Sequence, residues 1–401
     1  MLAKPSHFRF PERMIKTGLG KMLPIVPWMA LMMSAFLAGC SAGSGQNDGR
    51  LQASFRFSPG APGVGQETQF TDTSTGNPTS WNWALGDGAT STERNPRHAY
   101  SSVGIKTVTL TVGNGTETSR TDRSIAVITA TAIIVDHHAT KLADVPSTWI
   151  NQAKQVLKIV YGGVSHASQI SYGMAGLVTW THGGPLYAFN TGGTGGALDF
   201  RAYIGNFGGL GIANSLEFDV NSVTNRTAWY QATIAYLAAH PETNVVWWMW
   251  CYGVNDTQAN MDLYLSQMEL LEAAYPQVKF VYATGRTRAA GYFQNQTQDE
   301  VMNVYIRAYC VNHGKILYDF NDIEKYDPDG AYYGDKDVDE NCGYDANGDR
   351  VKESNWAIAW QTAHPGEWYS CQSPHSQPLN ANIKAFAAWH MIARLAGWDG
   401  R

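Results

Sequence analysis

The feature that most constrains this chain is the run at residues 245–256, VVWWMWCYGVND. Unbroken Val and Trp without polar alternation marks a strand buried on both faces, as in the middle of a parallel sheet covered by helices. The run then turns through Gly253, Val254, Asn255 and Asp256. The C-terminal ends of such strands are where open α/β sheets hold their ligands. An Asn delivered there offers an amide N–H to developing negative charge.

A second strand-like run, residues 156–161, leads into Gly162, Gly163, Val164 and Ser165, so a serine follows a tight turn where a helix should begin. Ser165 has no nucleophilicity of its own at neutral pH and needs a base; its attack creates an oxyanion that needs donors. Gly162 and Gly163 allow a sharp turn and close backbone approach, and a helix start leaves N–H groups aimed at the same spot. His375, in Ser373-Pro374-His375-Ser376-Gln377, is the candidate base. Ser165, His375 and Asn255 thus make up an acyl-transfer set, with Gly162, Gly163 and Gly253 shaping the turns. Ser168 is the second candidate nucleophile and His166 the second candidate base.

Residues 131–401 read as strand and helix in alternation. Strands are expected at 132–135, 157–161, from 245 up to the Gly253 turn, 278–282 and 316–320, and helices at 146–157, 229–240, 261–275, 298–312 and 382–396. This alternation makes a parallel sheet flanked by helices, an α/β three-layer sandwich. Residues 51–130 differ: short strands of period two at 54–57, 68–71, 80–83, 106–112 and 124–127, with turn residues between them, predict a small immunoglobulin-like β-sandwich. One of Trp81 and Trp83 is expected in its core and the other at its surface, and Asp87, between two glycines, reads as a turn residue.

At the N-terminus, Arg13, Lys16 and Lys21 precede an apolar stretch that closes on Leu37, Ala38, Gly39 and Cys40. Such a stretch with small residues before the cut is a signal peptide, here residues 1–39. Residues 40–50, rich in Gly, Ser and Asn, form a flexible tether. Export leads to an oxidising compartment, so Cys251, Cys310, Cys342 and Cys371 are expected to form two disulfides, with three pairings open. No CxxC pair points to zinc. The net charge of −5 comes with no long basic run, which removes the electrostatic footprint that nucleic-acid binding requires.

Three resemblances sharpen these expectations. Leu37-Ala38-Gly39-Cys40 resembles a bacterial lipobox, which implies lipid modification of Cys40 and membrane attachment through that anchor alone. Trp81-Asn82-Trp83-Ala84-Leu85-Gly86-Asp87-Gly88, with Asn95-Pro96-Arg97-His98-Ala99-Tyr100 and the strand after it, resembles a PKD domain, a spacing or adhesion module. Gly253-Val254-Asn255-Asp256 matches the third sequence block of the SGNH hydrolase superfamily, flavodoxin-like esterases, and implies Asn255 as an oxyanion donor. The serine block is Gly-Asp-Ser in that family, whereas here Gly162-Gly163-Val164-Ser165 places the serine one residue later. The family also carries Asp three residues before its His, where this chain has Gln372. His375 would then be oriented by a backbone carbonyl, by Glu367 or by Asp136.

The segment 327–349 is rich in Asp, and Asp345, Asn347 and Asp349 around Gly348 resemble the start of a calcium loop. The full loop spacing is broken by Trp356. The chemistry needs no cofactor, and calcium would be structural. Export, the PKD resemblance and 14 Trp in the chain point to an extracellular polysaccharide or glycan ester as substrate, with an acetyl ester foremost, at the periplasmic or cell-surface side of a membrane. The alternative is a non-catalytic glycan-binding or adhesion lipoprotein that keeps the same fold.

Overall fold

The computed structural model describes residues 50–129, 132–204, 226–249, 257–288 and 296–400. Cys40, Cys251, Gly253 and Asn255 therefore lie outside the described residues.

The N-terminal strands build two antiparallel sheets. One takes β1 (Phe55–Ser58), β2 (Glu67–Asp72) and β5 (Arg97–Ala99); the other takes β3 (Ser80–Ala84), β4 (Thr90–Ser91), β6 (Gly104–Gly113) and β7 (Thr118–Val127), in the order β4-β3-β6-β7. Between them pack Phe55, Phe70, Trp83, Tyr100, Val108 and Leu110, all buried. Trp83 is fully buried and donates its indole N–H to the Glu93 carbonyl at 2.9 Å. Trp81 packs against the same core from its rim, with Arg94 over its ring. The expected split of the two tryptophans is thus corrected: residues two apart on a strand share a face, so both point inward and only depth distinguishes them. Asp87 does close its turn, accepting from the Ala89 N–H at 3.1 Å, and it also pairs with His98 at 2.7 Å.

The rest of the chain forms a seven-stranded sheet built from β8 (Ile133–Val135), β9 (Lys158–Gly163), β10 (Phe189–Asn190), β11 (Leu198–Ile204), β12 (Val245–Met249), β13 (Lys279–Ala283) and β14 (Ile316–Tyr318). Its order is β10-β11-β9-β12-β13-β14-β8, and every neighbouring pair is parallel. All of β12 is buried, as its composition requires: Trp247 faces one core and Trp248 the other.

Helices cover both faces. α1 (Ser147–Val156), α2 (Ser168–Thr179), α7 (Trp356–Ala363) and α8 (Pro378–Leu395) line the side of Ile159, Tyr161 and Trp247. α3 (Ala228–Ala239), α4 (Gln258–Ala274) and α5 (Gln296–Asn312) line the side of Val160, Val246 and Trp248. The short α6 (Phe320–Ile323) follows β14 directly, so Phe320, expected to end that strand, instead opens a helix. Both parts belong to one compact unit, Gly49–Arg401. Among the described residues no helix is long and apolar enough to cross a membrane.

The strand order places the site. After β9 the chain moves to one side, through β10 and β11, and then crosses to the other, through β12, β13 and β14. The reversal falls at the C-terminal ends of β9 and β12, the position where sheets of this kind bind ligands. Ser165 stands two residues beyond β9.

Candidate active site

Ser165 opens the 3-10 turn Ser165–Ala167, which runs into α2. Its φ is 48°, in the left-handed region, where a non-glycine residue costs about 1–3 kcal/mol and persists only if its surroundings hold it. They do so here through Ser168 Oγ, which donates to the Ser165 carbonyl at 2.6 Å, and Tyr161 Oη, which donates to the Ala167 carbonyl at 2.7 Å. The two glycines serve differently from expectation. Gly162 and Gly163 are the last residues of β9 and the sharp backbone falls on Ser165 itself. What Gly163 supplies is space: a Cβ there would stand 2.4 Å from the Ala167 Cβ and 2.5 Å from the Met249 carbonyl oxygen.

His375 lies between α7 and α8 in a turn closed by the Ser376 N–H on the Ser373 carbonyl at 2.9 Å. Its φ is also positive, 65°. The two strained residues face each other across 210 positions of sequence, with Ser165 Oγ 2.5 Å from His375 Nε2. With the Nε2 lone pair free, the hydroxyl donates to the imidazole across this contact, the arrangement by which a base activates a serine. Ser165 is half-buried and His375 exposed, so the pair is open to a ligand from outside.

The acids considered for His375 are elsewhere. Asp136 is bonded to His138 at 3.1 Å, and Glu367 is exposed, with its backbone N–H on the His364 carbonyl. The carboxylate that does approach is Glu340, which sequence reasoning missed. His166, Glu340 and His375 each offer an atom within 4.8 Å of the other two. Glu340 Oε2 lies 3.1 Å from His166 Nε2 and pairs with Arg286. His166 is not a second base: its ring lies flat against that of His375, with centroids 4.4 Å apart and planes 11° apart, and burial pushes its pKa down to about 3. It is a platform stacked on the His375 imidazole, held towards its neutral form by burial. Ser168 is not a second nucleophile either, since its hydroxyl is spent on the Ser165 carbonyl.

Behind the histidine stands a buried polar chain. Gln169 Nε2 donates to the Pro374 carbonyl; Lys384 Nζ donates to Gln169 Oε1 and, at 2.7 Å, to Glu324 Oε1. Glu324 Oε2 accepts from the Thr287 N–H at 2.6 Å. Nothing in the sequence marks these residues, because Gln, Lys and Glu on helices ordinarily read as solvated faces.

The cysteine expectation is corrected. Cys310, Cys342 and Cys371 are free thiols, so two disulfides do not form. Cys310 sits on α5 in one core and Cys342 in the other, with the sheet between them. Burial raises the Cys342 thiol to about 12 and the Cys371 thiol to about 11, which leaves both unreactive.

In the acidic loop, Asp345 accepts from the N–H groups of Asn347, Gly348 and Arg350, and the Asn347 side-chain amide accepts from the Asp349 N–H and donates to the Asp349 carboxylate. Asp345, Asp349 and Glu353 each offer a carboxylate oxygen within 4.8 Å of the other two.

Comparison with known proteins bears on the sandwich. Residues 60–129 match the model of the PKD domain, and a PKD domain accordingly occupies that segment. No curated protein matches the chain. Among solved structures, the chain is 27% identical to one from work on the promiscuous specificity of carbohydrate-binding modules of the β-sandwich superfamily, over 21% of this chain and 36% of that one, with a TM-score of 0.20. It is 31% identical to the PKD1 domain of the Vibrio cholerae metalloprotease PrtV, over 19% of this chain and 95% of that one, with a TM-score of 0.18. The PKD1 domain of Vibrio anguillarum Epp is 26% identical over 19% of this chain and 89% of its own length, with a TM-score of 0.17. The chain spans about a third of the first of these structures.

Proposed function

We propose that the α/β part is a serine esterase of the SGNH type, carried on an exported, lipid-anchored chain, and that it removes acetyl or similar acyl groups from an extracellular carbohydrate. The observation that carries this reading is the 2.5 Å contact between Ser165 Oγ and His375 Nε2 just beyond the end of β9. The strand order around β9, with its neighbours built outward on both sides, agrees with a flavodoxin-like sheet. The Gly253-Val254-Asn255-Asp256 motif follows β12, the strand next to β9.

In this reaction Ser165 Oγ attacks the ester carbonyl carbon while His375 Nε2 takes the hydroxyl proton. The oxyanion is met by the Asn255 amide and by backbone N–H groups at the turn of Ser165. The tetrahedral intermediate collapses, the sugar oxygen leaves with the proton from Nε2, and Ser165 is left acylated. Water then attacks the acyl carbon, gives its proton to Nε2, and the acid departs as the Ser165 hydroxyl is restored. No metal or organic cofactor enters these steps. The PKD domain would hold the esterase near its polymer, and Cys40 would hold both at the membrane.

A fluorophosphonate probe on the purified chain tests this. Labelling that is lost in Ser165→Ala and much reduced in His375→Ala supports the esterase. An unlabelled native chain, or equal labelling of Ser165→Ala, leaves a tethered adhesion scaffold in its place.

A further inference from the structure

A second group of ionisable side chains lies where β8 and β14 end, away from Ser165 in the strand order and under the sandwich. β8 stops at Val135, and Asp136 caps the 3-10 turn His137–Ala139 by accepting from the His138 N–H at 3.0 Å. Asp136, His137 and His138 each offer one ligand atom within 4.8 Å of the other two. They border a cavity of about 50 Å³ whose walls also include Arg307, Asp319 and Asp322 from the α/β part and Phe57 and Gly60 from the sandwich.

The surroundings prepare these side chains for a cation. His137 Nδ1 lies 2.5 Å from Asp322 Oδ2, which also accepts the His137 backbone N–H at 3.0 Å. A carboxylate in that place holds the proton on Nδ1 and leaves the Nε2 lone pair for a metal, the arrangement that supports metal-bound imidazoles generally. The His137 ring is fixed between that of Tyr326, stacked at 3.4 Å, and that of His138, at 3.8 Å. His138 is pressed from the far side by the sandwich, since a Cβ on Gly60 would stand 2.4 Å from its Cγ. Three carboxylates, Asp136, Asp319 and Asp322, line the cavity with Arg307, whose guanidinium pairs with Asp319, and Arg123 is a further cation acting on His138. The balance stays negative, which a dication offsets.

We propose that Asp136, His137 and His138 form a site for one divalent transition-metal ion of the zinc class, at the seam between the PKD domain and the α/β part. Two imidazoles and a carboxylate suit zinc, and the cavity has room for the ion with a water as fourth ligand, a water taking about 30 Å³. Bonds of about 2.1 Å place tetrahedral ligand atoms roughly 3.4 Å apart, so the ligands close inward on binding. The ion would then clamp the turn after β8 beneath the sandwich and stabilise that seam. This site is independent of the esterase reading.

The test equilibrates the purified chain with ZnCl2, desalts it, and measures bound zinc by mass spectrometry and the melting temperature with and without chelator. A single equivalent of zinc that raises the melting temperature is expected. The double variant His137→Asn, His138→Asn, whose amides keep a donor near Asp322 and Asp136, should bind zinc at least roughly tenfold more weakly, and Asp136→Asn should weaken it as well. His375→Ala, which dismantles the other imidazole–carboxylate group, should bind zinc as the native chain does. Absence of stoichiometric zinc in the native chain, its loss in His375→Ala, or its full retention in the double variant would overturn the proposal. Should the double variant fail to fold by circular dichroism, Asp136→Asn decides alone.

Discussion

Gln169 Nε2 donates to the carbonyl of Pro374 at 2.5 Å, one residue before His375. A helix that begins three residues after Ser165 thereby holds the loop that carries His375. Gln169→Met removes the donor at nearly constant volume. A displacement of about 1 Å at a reacting group can cost on the order of 100-fold, so kcat for hydrolysis of a p-nitrophenyl ester should fall by about 10- to 100-fold with KM little changed. A Gln169→Met chain of native kcat would show that the loop needs no such anchor.

Lys384 and Glu324, the pair behind Gln169, are fully buried. Removing one member of a buried pair strands the other charge, at about 3–5 kcal/mol, while replacing both with apolar residues is often near neutral. Lys384→Met should therefore lose about that much in urea denaturation, and Lys384→Met with Glu324→Leu should regain most of it. Equal losses in the single and double variants would mean that packing, not charge, dominates at this position.

His390, on α8, gives a pH prediction. Burial, with the Arg394 charge adding to it, holds its pKa down to about 4. In the unfolded chain the imidazole takes up its proton near pH 6.5. Between those values the unfolded state binds a proton that the folded state does not, so stability falls as the pH drops from about 6.5 towards 4 and is unaffected by this group above 6.5. The contribution is at most about 3 kcal/mol by linkage. Thermal melts at pH 7 and pH 5 should show a smaller acid-induced drop in His390→Phe than in the native chain. An identical drop would assign the acid sensitivity to other groups.

What the sequence disclosed followed from how strongly each signal is tied to backbone geometry. β12 was legible because five consecutive apolar residues have no other stable place, and the strands of the sandwich because Phe55, Phe57 and Phe70 alternate with polar neighbours. α2 was expected only as a helix start after Ser165, its extent hidden because Ser168–Thr179 mixes Gly173 and Gly176 with Ser and Thr, and β11 went unread because Leu198–Ile204 carries Asp199 and Arg201 in mid-strand. Those two charges are tolerated because they pair with each other at 3.0 Å, which is tertiary information. Ser165 and His375 were marked by the turns around them, but Glu340 and Gln169 acquire meaning only from what folds against them. The cysteine count misled for the same reason, since parity says nothing about which side of a sheet each thiol occupies.

Gly163 tests whether the turn, rather than the serine alone, makes the nucleophile. The residue ends β9, paired on one side with Ile204 and on the other with Met249, and its α-carbon faces the Ala167 methyl and the Met249 carbonyl. A methyl group there meets atoms at 2.4 Å and 2.5 Å, one of them backbone, and cannot be absorbed by rotating a side chain. Overpacking of this kind costs about 1–3 kcal/mol, and the relief available is to push the Ser165 turn outward, away from β12. Gly163→Ala should therefore lose fluorophosphonate labelling of Ser165 by more than its loss of stability explains, with labelling reduced on the order of 100-fold at a temperature where the variant is still folded. If Gly163→Ala melts lower but labels at the native rate, the turn geometry is unimportant to the reactivity of Ser165, and the short Ser165–His375 contact suffices without it.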